Sequence, residues 1–293
     1  MHFSIWDNRC SENEVERMKI VYKNKMHILD EKEKDGVPFL SYPILENTGI
    51  VNHGFSTRLG GVSKGHCATM NISTNRGDDP EAVRENKRRI ANAIGVDVKK
   101  MVFTNQTHTT NVAVVTEENS GEVLSETDGM ITDTPGLCLV TFYADCVPLY
   151  FVDPVRKVIG LSHSGWRGTV NKMANVTVKK MEEAFGCDPQ DMIAAVGPSI
   201  CQDCYEVSDD VIEQFKNAYD ENDWDSLFYK KENGKYQLNL WRANEINFLE
   251  SGIRPNHIAV TNICTCCNPD VLFSHRITGF NRGNLSAFLA LKE

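Results

Sequence analysis

The chain has 293 residues, enough to bury a large core as one big domain or two small ones. Hydrophobic residues make up 41% and charged residues 24%, the balance of a folded globular protein rather than a disordered one. With 31 Lys+Arg against 40 Asp+Glu the net charge is -9, which disfavours non-specific nucleic-acid binding and requires any anionic substrate to be small and locally compensated.

Residues 1–49 read as an N-terminal extension packed on the domain, with no chemistry of its own. Its alternating stretch MKIVYKNKMHIL predicts a short amphipathic helix or strand pair on the domain's edge. The first residues lack a signal peptide's apolar core, and no apolar run approaches the roughly 18 residues of a membrane span, so a cytoplasmic protein with no membrane partner is expected. From 50 to 293 the pattern is continuous, with no Pro/Ser-rich linker or fixed repeat, which predicts one domain.

A helix is predicted over DPEAVRENKRRIANAIG, with Asp79 as cap, Pro80 in the first turn and Gly95 as the stop. Strands follow at MVFTNQ, NVAVVT, GMITD, GLCLVTFYA, PLYFVD and KVIGLSH. A helix over TVNKMANVTVKKMEEAFG ends at Gly186; strand MIAAVG, a helix from Ser208 to about Ala218 and strand HIAVTN complete the reading. A purely parallel sheet would need a helical crossover at nearly every step, so the expectation is an α+β fold of mixed sheets packed as a sandwich and flanked by helices. No GxGxxG follows a strand and no GxxxxGK[ST] occurs, which removes dinucleotide and P-loop readings.

Three segments place metal-competent side chains at strand ends: Gln106-Thr107-His108, Ala144-Asp145-Cys146, and Ser162-His163-Ser164-Gly165-Trp166-Arg167-Gly168. Two imidazoles and a thiolate form a borderline-soft set suited to zinc, and three protein ligands leave a fourth position open, as in catalytic sites. No local motif forces His108, Cys146 and His163 together, so a structural role for each stays open at this level. The GWRG turn carries a separate argument, because its backbone N–H groups and Arg167 stand at the start of the predicted helix and could receive an anion. Equally, Gly165 and Gly168 could simply permit a tight turn with Trp166 in the core.

Taken in order, FSTRLGG at 55–61, Met70-Asn71, Gly77-Asp78-Asp79, QTH at 106–108, TDG at 127–129, ADCVP at 144–148, HSGWRG at 163–168 and GPSICQDCYEV at 197–207 form a specific set. Over about residues 50 to 291 the chain resembles the zinc-dependent purine nucleoside phosphorylase family of YfiH/YlmD-type and laccase-domain proteins, earlier named polyphenol oxidases or multicopper laccases. The resemblance implies that His108, Cys146 and His163 hold one zinc per monomer, with copper the less favoured metal. It places Arg58, Asn71 and Arg167 in pocket-lining motifs, with Arg276 the next candidate for the anion. Cys146 is also a candidate for a catalytic role, and Asp145 beside it could hydrogen-bond a substrate hydroxyl or orient a metal-bound water, or equally serve as a structural strand end. The implied partners are purine nucleosides and phosphate; the acidic balance argues against nucleic acid, and no protein partner is inferable from the sequence. The implied activities are phosphorolysis of adenosine, guanosine, inosine and methylthioadenosine, and deamination of adenosine. The chain departs from the family near its end, where Phe273-Ser274-His275-Arg276-Ile277 and Asn281-Arg282-Gly283-Asn284 change two usual arginine positions.

Two competing classes are distinguishable. A copper-dependent phenol oxidase needs a mononuclear copper and a histidine-rich trinuclear cluster, and eight scattered histidines without an HxH pair supply no such set. A non-catalytic metal-binding protein would have a closed site. Of the ten cysteines, Cys201 and Cys204 form a CxxC while Cys264, Cys266 and Cys267 cluster. A second, closed Cys₄ zinc site could form there, although reduced, partly buried thiols are the favoured expectation.

Overall fold

The computed structural model describes residues 18–293. The chain enters through β1 (Asp30–Lys34) and β2 (Val37–Ser41), turns at α1 (Pro43–Glu46) into β3 (Val51–Ser56), and reaches α2 (Pro80–Ile94) after a long loop. Next come β4 (Met101–Thr104), β5 (Val112–Val114), β6 (Val123–Leu124) and β7 (Gly129–Thr132), then the longer strands β8 (Cys138–Tyr143), β9 (Val147–Asp153) and β10 (Val158–Ser164). Helices α3 (Trp166–Val170) and α4 (Met173–Phe185) lead to β11 (Ile193–Val196) and β12 (Glu206–Val207). The remainder is α5 (Asp209–Ala218), α6 (Trp224–Leu227), β13 (Phe228–Lys230), β14 (Tyr236–Leu238), α7 (Leu240–Glu250), β15 (Ile258–Val260), α8 (His275–Thr278) and β16 (Leu285–Leu291).

These strands form a seven-stranded sheet in the order β1-β2-β3-β16-β8-β4-β6, a six-stranded sheet β15-β11-β9-β10-β7-β5, and a small sheet β12-β14-β13. Both large sheets are mixed: β4 lies parallel to β6 and β8, β5 to β7 and β11 to β15, while the other pairs run antiparallel. The two sheets pack face to face. Leu139, Tyr143, Leu285, Ala287 and Leu289 from one meet Met130, Tyr150, Val152, Ile159 and Leu161 from the other in one buried cluster. Alternate residues of the same strands point the other way. Cys138, Val140 and Phe288 pack under Ile90, Ala91 and Ile94 of α2, and Leu149, Phe151 and Val158 under α4, α5 and α7. Strands covered on both faces read as continuous apolar runs, which is why CLVTFY and VPLYFVD show no polar alternation.

From residue 79 to 262 the expected strands and helices have counterparts at their places, and α2 is capped as expected: Asp79 accepts from the Glu81 amide and Gly95 closes the helix at φ 83°. Two expectations need correction. MKIVYKNKMHIL forms neither a helix nor a strand pair: only an isolated bridge joins Tyr22 to Ile263, and the alternation continues into β1 and β2, which extend the first sheet. The helix expected to run unbroken to Gly186 is split, because Lys172 adopts the left-handed conformation at φ 60° between α3 and α4. Among the described residues no helix is long and apolar enough to cross a membrane.

Candidate metal centre and its two hollows

The ends of β4, β8 and β10 meet at one edge of the sandwich, and the sequence places a metal-competent side chain at each. His108 lies on the loop after β4, Cys146 on the turn between β8 and β9, and His163 within β10. Their ligating atoms all lie within 4.8 Å of one another, with Cys146 Sγ 3.9 Å from His108 Nε2. Tetrahedral zinc with bonds of about 2.0–2.3 Å sets its ligands roughly 3.3–3.6 Å apart, so a small closure accommodates the ion. The donor set and its spacing fit a single zinc.

Asp128, which the sequence reading passed over inside the TDG motif, organises this triad. It is fully buried, and its Oδ1 accepts from His163 Nδ1 at 2.8 Å and from the His108 amide at 3.0 Å. Its Oδ2 accepts from the Thr107 and Thr109 amides and the Thr109 hydroxyl. The His163 bond leaves Nε2 as the ring nitrogen free to ligate, the carboxylate–histidine arrangement found behind metal ligands. Burial alone would raise the Asp128 pKa, but the hydrogen bond from His163 and the amide donors overcome it and hold it at about 2. Burial likewise opposes both changes in the Cys146–His163 pair, yet mutual attraction brings the thiol down to about 6 and the imidazole up to about 9. The metal-free centre is therefore a thiolate facing an imidazolium.

Gly165 resolves the ambiguity of the GWRG turn. A Cβ there would stand 2.9 Å from the His108 ring and 3.2 Å from Cys146 Sγ, so the glycine leaves room for two of the three sulfur and nitrogen donors. The turn does not present a long helix's N-terminus, since α3 covers only Trp166–Val170.

Two hollows flank the triad and share His108 and Cys146. The larger, about 380 Å³, is rimmed by Arg76, Lys87, Gln106, Arg282 and Asn284. Arg282 is buried, and desolvation together with the nearby Arg76 guanidinium lowers its pKa to about 10. The Nε atoms of both arginines are buried without a partner. Two neighbouring guanidinium groups with unspent donors form a site suited to an anion. The smaller hollow, about 160 Å³, is lined by Trp166, Tyr205, Ile200, Arg167 and Arg276. There Arg167 is exposed and stacks over Trp166 with its Cζ 4.3 Å from the ring centroid, and Arg276 lies 5.3 Å over Tyr205.

The remaining sequence candidates lie elsewhere. Arg58 is absent from both hollows: its guanidinium donates to the Ala68 carbonyl from Nε and Nη2 and to the Pro269 carbonyl from Nη1, and it stacks on Phe273. Asn71 is fully buried beneath the larger hollow, donating to Asp78 and the Ser73 carbonyl and accepting from the Asn284 amide. Both brace loops rather than line the pocket. Asp145 sits beside Cys146 at φ 86°, with Oδ1 accepting from the Thr265 hydroxyl and Oδ2 from the Arg276 amide, an arrangement that positions a backbone. Arg76 and Arg282 escaped the sequence reading because they come from distant loops with no shared motif.

The sequence and fold have counterparts. A family model described as multi-copper polyphenol oxidoreductase laccase matches residues 52–292. The purine nucleoside phosphorylase YlmD of Bacillus subtilis is 33% identical over 255 residues, 85% of this chain and 91% of that protein. A protein named adenosine deaminase RL5, from an unknown prokaryotic organism, is 34% identical over 237 residues, 78% of this chain and 90% of its own. The crystal structure of the Bacillus licheniformis hypothetical protein YfiH superposes with a TM-score of 0.84 at 32% identity, covering 89% of this chain and 99% of that one. A match across nearly all of both sheets and every strand end of the triad makes the chain a member of the multi-copper polyphenol oxidoreductase laccase family.

Proposed function

We propose that this chain is a zinc-dependent purine nucleoside phosphorylase that also deaminates adenosine. The carrying observation is the convergence of His108, Cys146 and His163 on the shared wall of a basic hollow and an aromatic one. The names of the relatives support the substrate class.

A zinc ion held by His108, Cys146 and His163 would supply Lewis acidity at its open coordination position. Arg76 and Arg282 hold phosphate in the larger hollow, where an anion relieves their mutual repulsion and takes up their unspent donors. Trp166 and Tyr205 offer flat faces to a purine, with Arg167 and Arg276 beside them for the nucleoside's polar edge. Asp128 fixes His163 through its Nδ1, and Asp145 holds the strand end that carries Cys146. In phosphorolysis the bond between ribose C1′ and the base breaks, a phosphate oxygen bonds to C1′, and the base leaves with a proton. In deamination water replaces the 6-amino group, and ammonia leaves. A cytoplasmic setting, which supplies phosphate and keeps thiols reduced, suits this chemistry.

Copper-dependent phenol oxidation, which the family description suggests, finds less support. Among the described residues, metal-competent side chains converge in the triad and in one all-cysteine group, and neither is the histidine-rich cluster that oxygen reduction needs. The deciding experiment incubates the purified chain with inosine, with and without phosphate. Hypoxanthine and ribose 1-phosphate should form only when phosphate is present. Cleavage that proceeds equally without phosphate overturns the assignment.

A further inference from the structure

Cys201 and Cys204 form one CxxC, and Cys264 and Cys267 form a second, with Thr265 and Cys266 between them. The first lies on the loop after β11 and the second on the loop after β15, the parallel pair at one edge of the six-stranded sheet. Pairing continues past the strand ends as a bridge between Ser199 and Cys264, with the Thr265 amide donating to the Ser199 carbonyl at 3.1 Å. The two loops thereby bring all four Sγ atoms within 4.8 Å of one another. Cys204 and Cys267 Sγ are 3.5 Å apart.

Metal–sulfur bonds of about 2.3 Å in a tetrahedron separate the sulfurs by roughly 3.8 Å, so the span suits one ion and is too tight for a polynuclear cluster. A disulfide would require sulfurs about 2.05 Å apart.

The Cys204 amide donates to the Cys201 carbonyl at 3.1 Å, which folds the first CxxC back on itself. One backbone donor is aimed at a sulfur of this cluster: the Cys201 amide donates to Cys264 Sγ at 3.2 Å. Amide donors aimed at sulfur stabilise the ionised form and do little for a neutral thiol. Lys23 brings a positive charge near Cys201 and Cys267 while pairing with Asp203 at 2.6 Å. Cys201 and Cys264 are buried, and Cys204 and Cys267 half-buried.

We propose that Cys201, Cys204, Cys264 and Cys267 bind one zinc ion in a closed tetrathiolate site distinct from the His108–Cys146–His163 centre. Four protein ligands leave no open position, so the ion is structural. It ties together two loops that both reach Asp145: the Ile200 amide donates to the Asp145 carbonyl, and the Thr265 hydroxyl to its carboxylate. The tetrathiolate thus stiffens the support of the turn that presents Cys146. The proposal stands independently of the nucleoside reading.

The test uses the full chain carrying His108→Ala and Cys146→Ala, purified under reducing conditions without added metal. About one zinc per chain is expected, with X-ray absorption showing a sulfur-only shell at about 2.3 Å. Cobalt(II) exchange should give the intense sulfur-to-metal charge-transfer bands of a tetrathiolate. Adding Cys204→Ser and Cys267→Ser should remove this metal. The double variant leaves the tetrad intact, so its zinc count reads the site whether or not the fourfold variant folds. A folded, metal-free double variant, a shell containing nitrogen or oxygen, or a disulfide within the tetrad found by intact mass after denaturing alkylation would each overturn the proposal. Loss of phosphorolysis in the assay above would leave this count unchanged.

Discussion

At Gly165 a single methyl group would reach both His108 and Cys146, and His108 is exposed enough to swing aside. Gly165→Ala should therefore weaken zinc binding at the triad by about tenfold or more, a loss of the size seen when supports of a metal ligand are disturbed, while the folded spectrum persists. Competition with a chromophoric chelator measures it; unchanged affinity would mean that the glycine serves only the turn. Protons compete at the same place. Between pH 6 and pH 9 the metal-free pair is thiolate and imidazolium, so binding zinc to Cys146 and His163 must expel the His163 proton. Affinity at the triad should rise about tenfold per pH unit across that window and flatten above it. A flat profile between pH 6 and 8 would contradict the arrangement of charges. The arginines divide in the same spirit. Arg282→Met should reduce inosine phosphorolysis at subsaturating phosphate by roughly ten- to a hundredfold, the loss of one charge-assisted contact of about 1.5–3 kcal/mol, with adenosine deamination falling much less. Arg58→Met should instead lower the denaturation midpoint and leave the phosphate dependence intact, because its donors go to the Ala68 and Pro269 carbonyls. Equal loss of both reactions in Arg282→Met would assign that residue to the shared nucleoside.

Among the elements, local chemistry was most legible where caps and glycines stood in the chain. Asp79, Pro80 and Gly95 mark α2 to the residue, and Asp79→Ala should cost about 1 kcal/mol in urea denaturation without touching phosphorolysis. A larger loss would show that Asp79 supports more than its helix. Less legible were elements whose identity depends on what covers them. LSAFLAL near the end of the chain forms β16, which lies between β3 and β8 in the seven-stranded sheet, yet an apolar run that short has no period to distinguish strand from helix. α7 escaped notice because Ala243, Asn244, Ile246, Asn247 and Phe248 are all buried, the asparagines bonding inward, so no polar face marks it. The break at Lys172 is likewise set from outside, where its ammonium pairs with Glu250 and lies 3.7 Å from the Tyr219 ring centroid. The site follows the same logic. Strand ends mark His108, Cys146 and His163, which the fold brings together, but a motif carries a residue's identity and not its direction, and the Arg58 and Asn71 of their motifs line neither hollow. Arg76 and Arg282 became neighbours only through the fold.

Across the whole molecule the triad lies where the two large sheets are stitched together. His108 stands on the passage from β4 in one sheet to β5 in the other, Cys146 on the passage from β8 to β9, and His163 on β10. Filling the centre therefore links both halves of the sandwich at one edge, while in the unfolded chain the three ligands are far apart in sequence and bind weakly. A ligand held by the native state alone stabilises it by RT ln(1 + [L]/Kd), about 2.7 kcal/mol at free zinc a hundred times Kd. For a chain of this size each kcal/mol moves the melting temperature by roughly 2–4 °C, so zinc-loaded protein should melt roughly 5–10 °C above protein whose triad has been emptied. Emptying must be selective to be informative, and the paired substitutions His108→Ala and Cys146→Ala do this without a chelator. In that variant the rise with added zinc should shrink to what the tetrathiolate site alone supplies, whereas in the unsubstituted chain the triad adds its own rise with the logarithm of free zinc. A zinc-dependent rise of equal size in both proteins would mean that the stabilising ion binds outside the triad, and that the edge of the sandwich is held by packing alone.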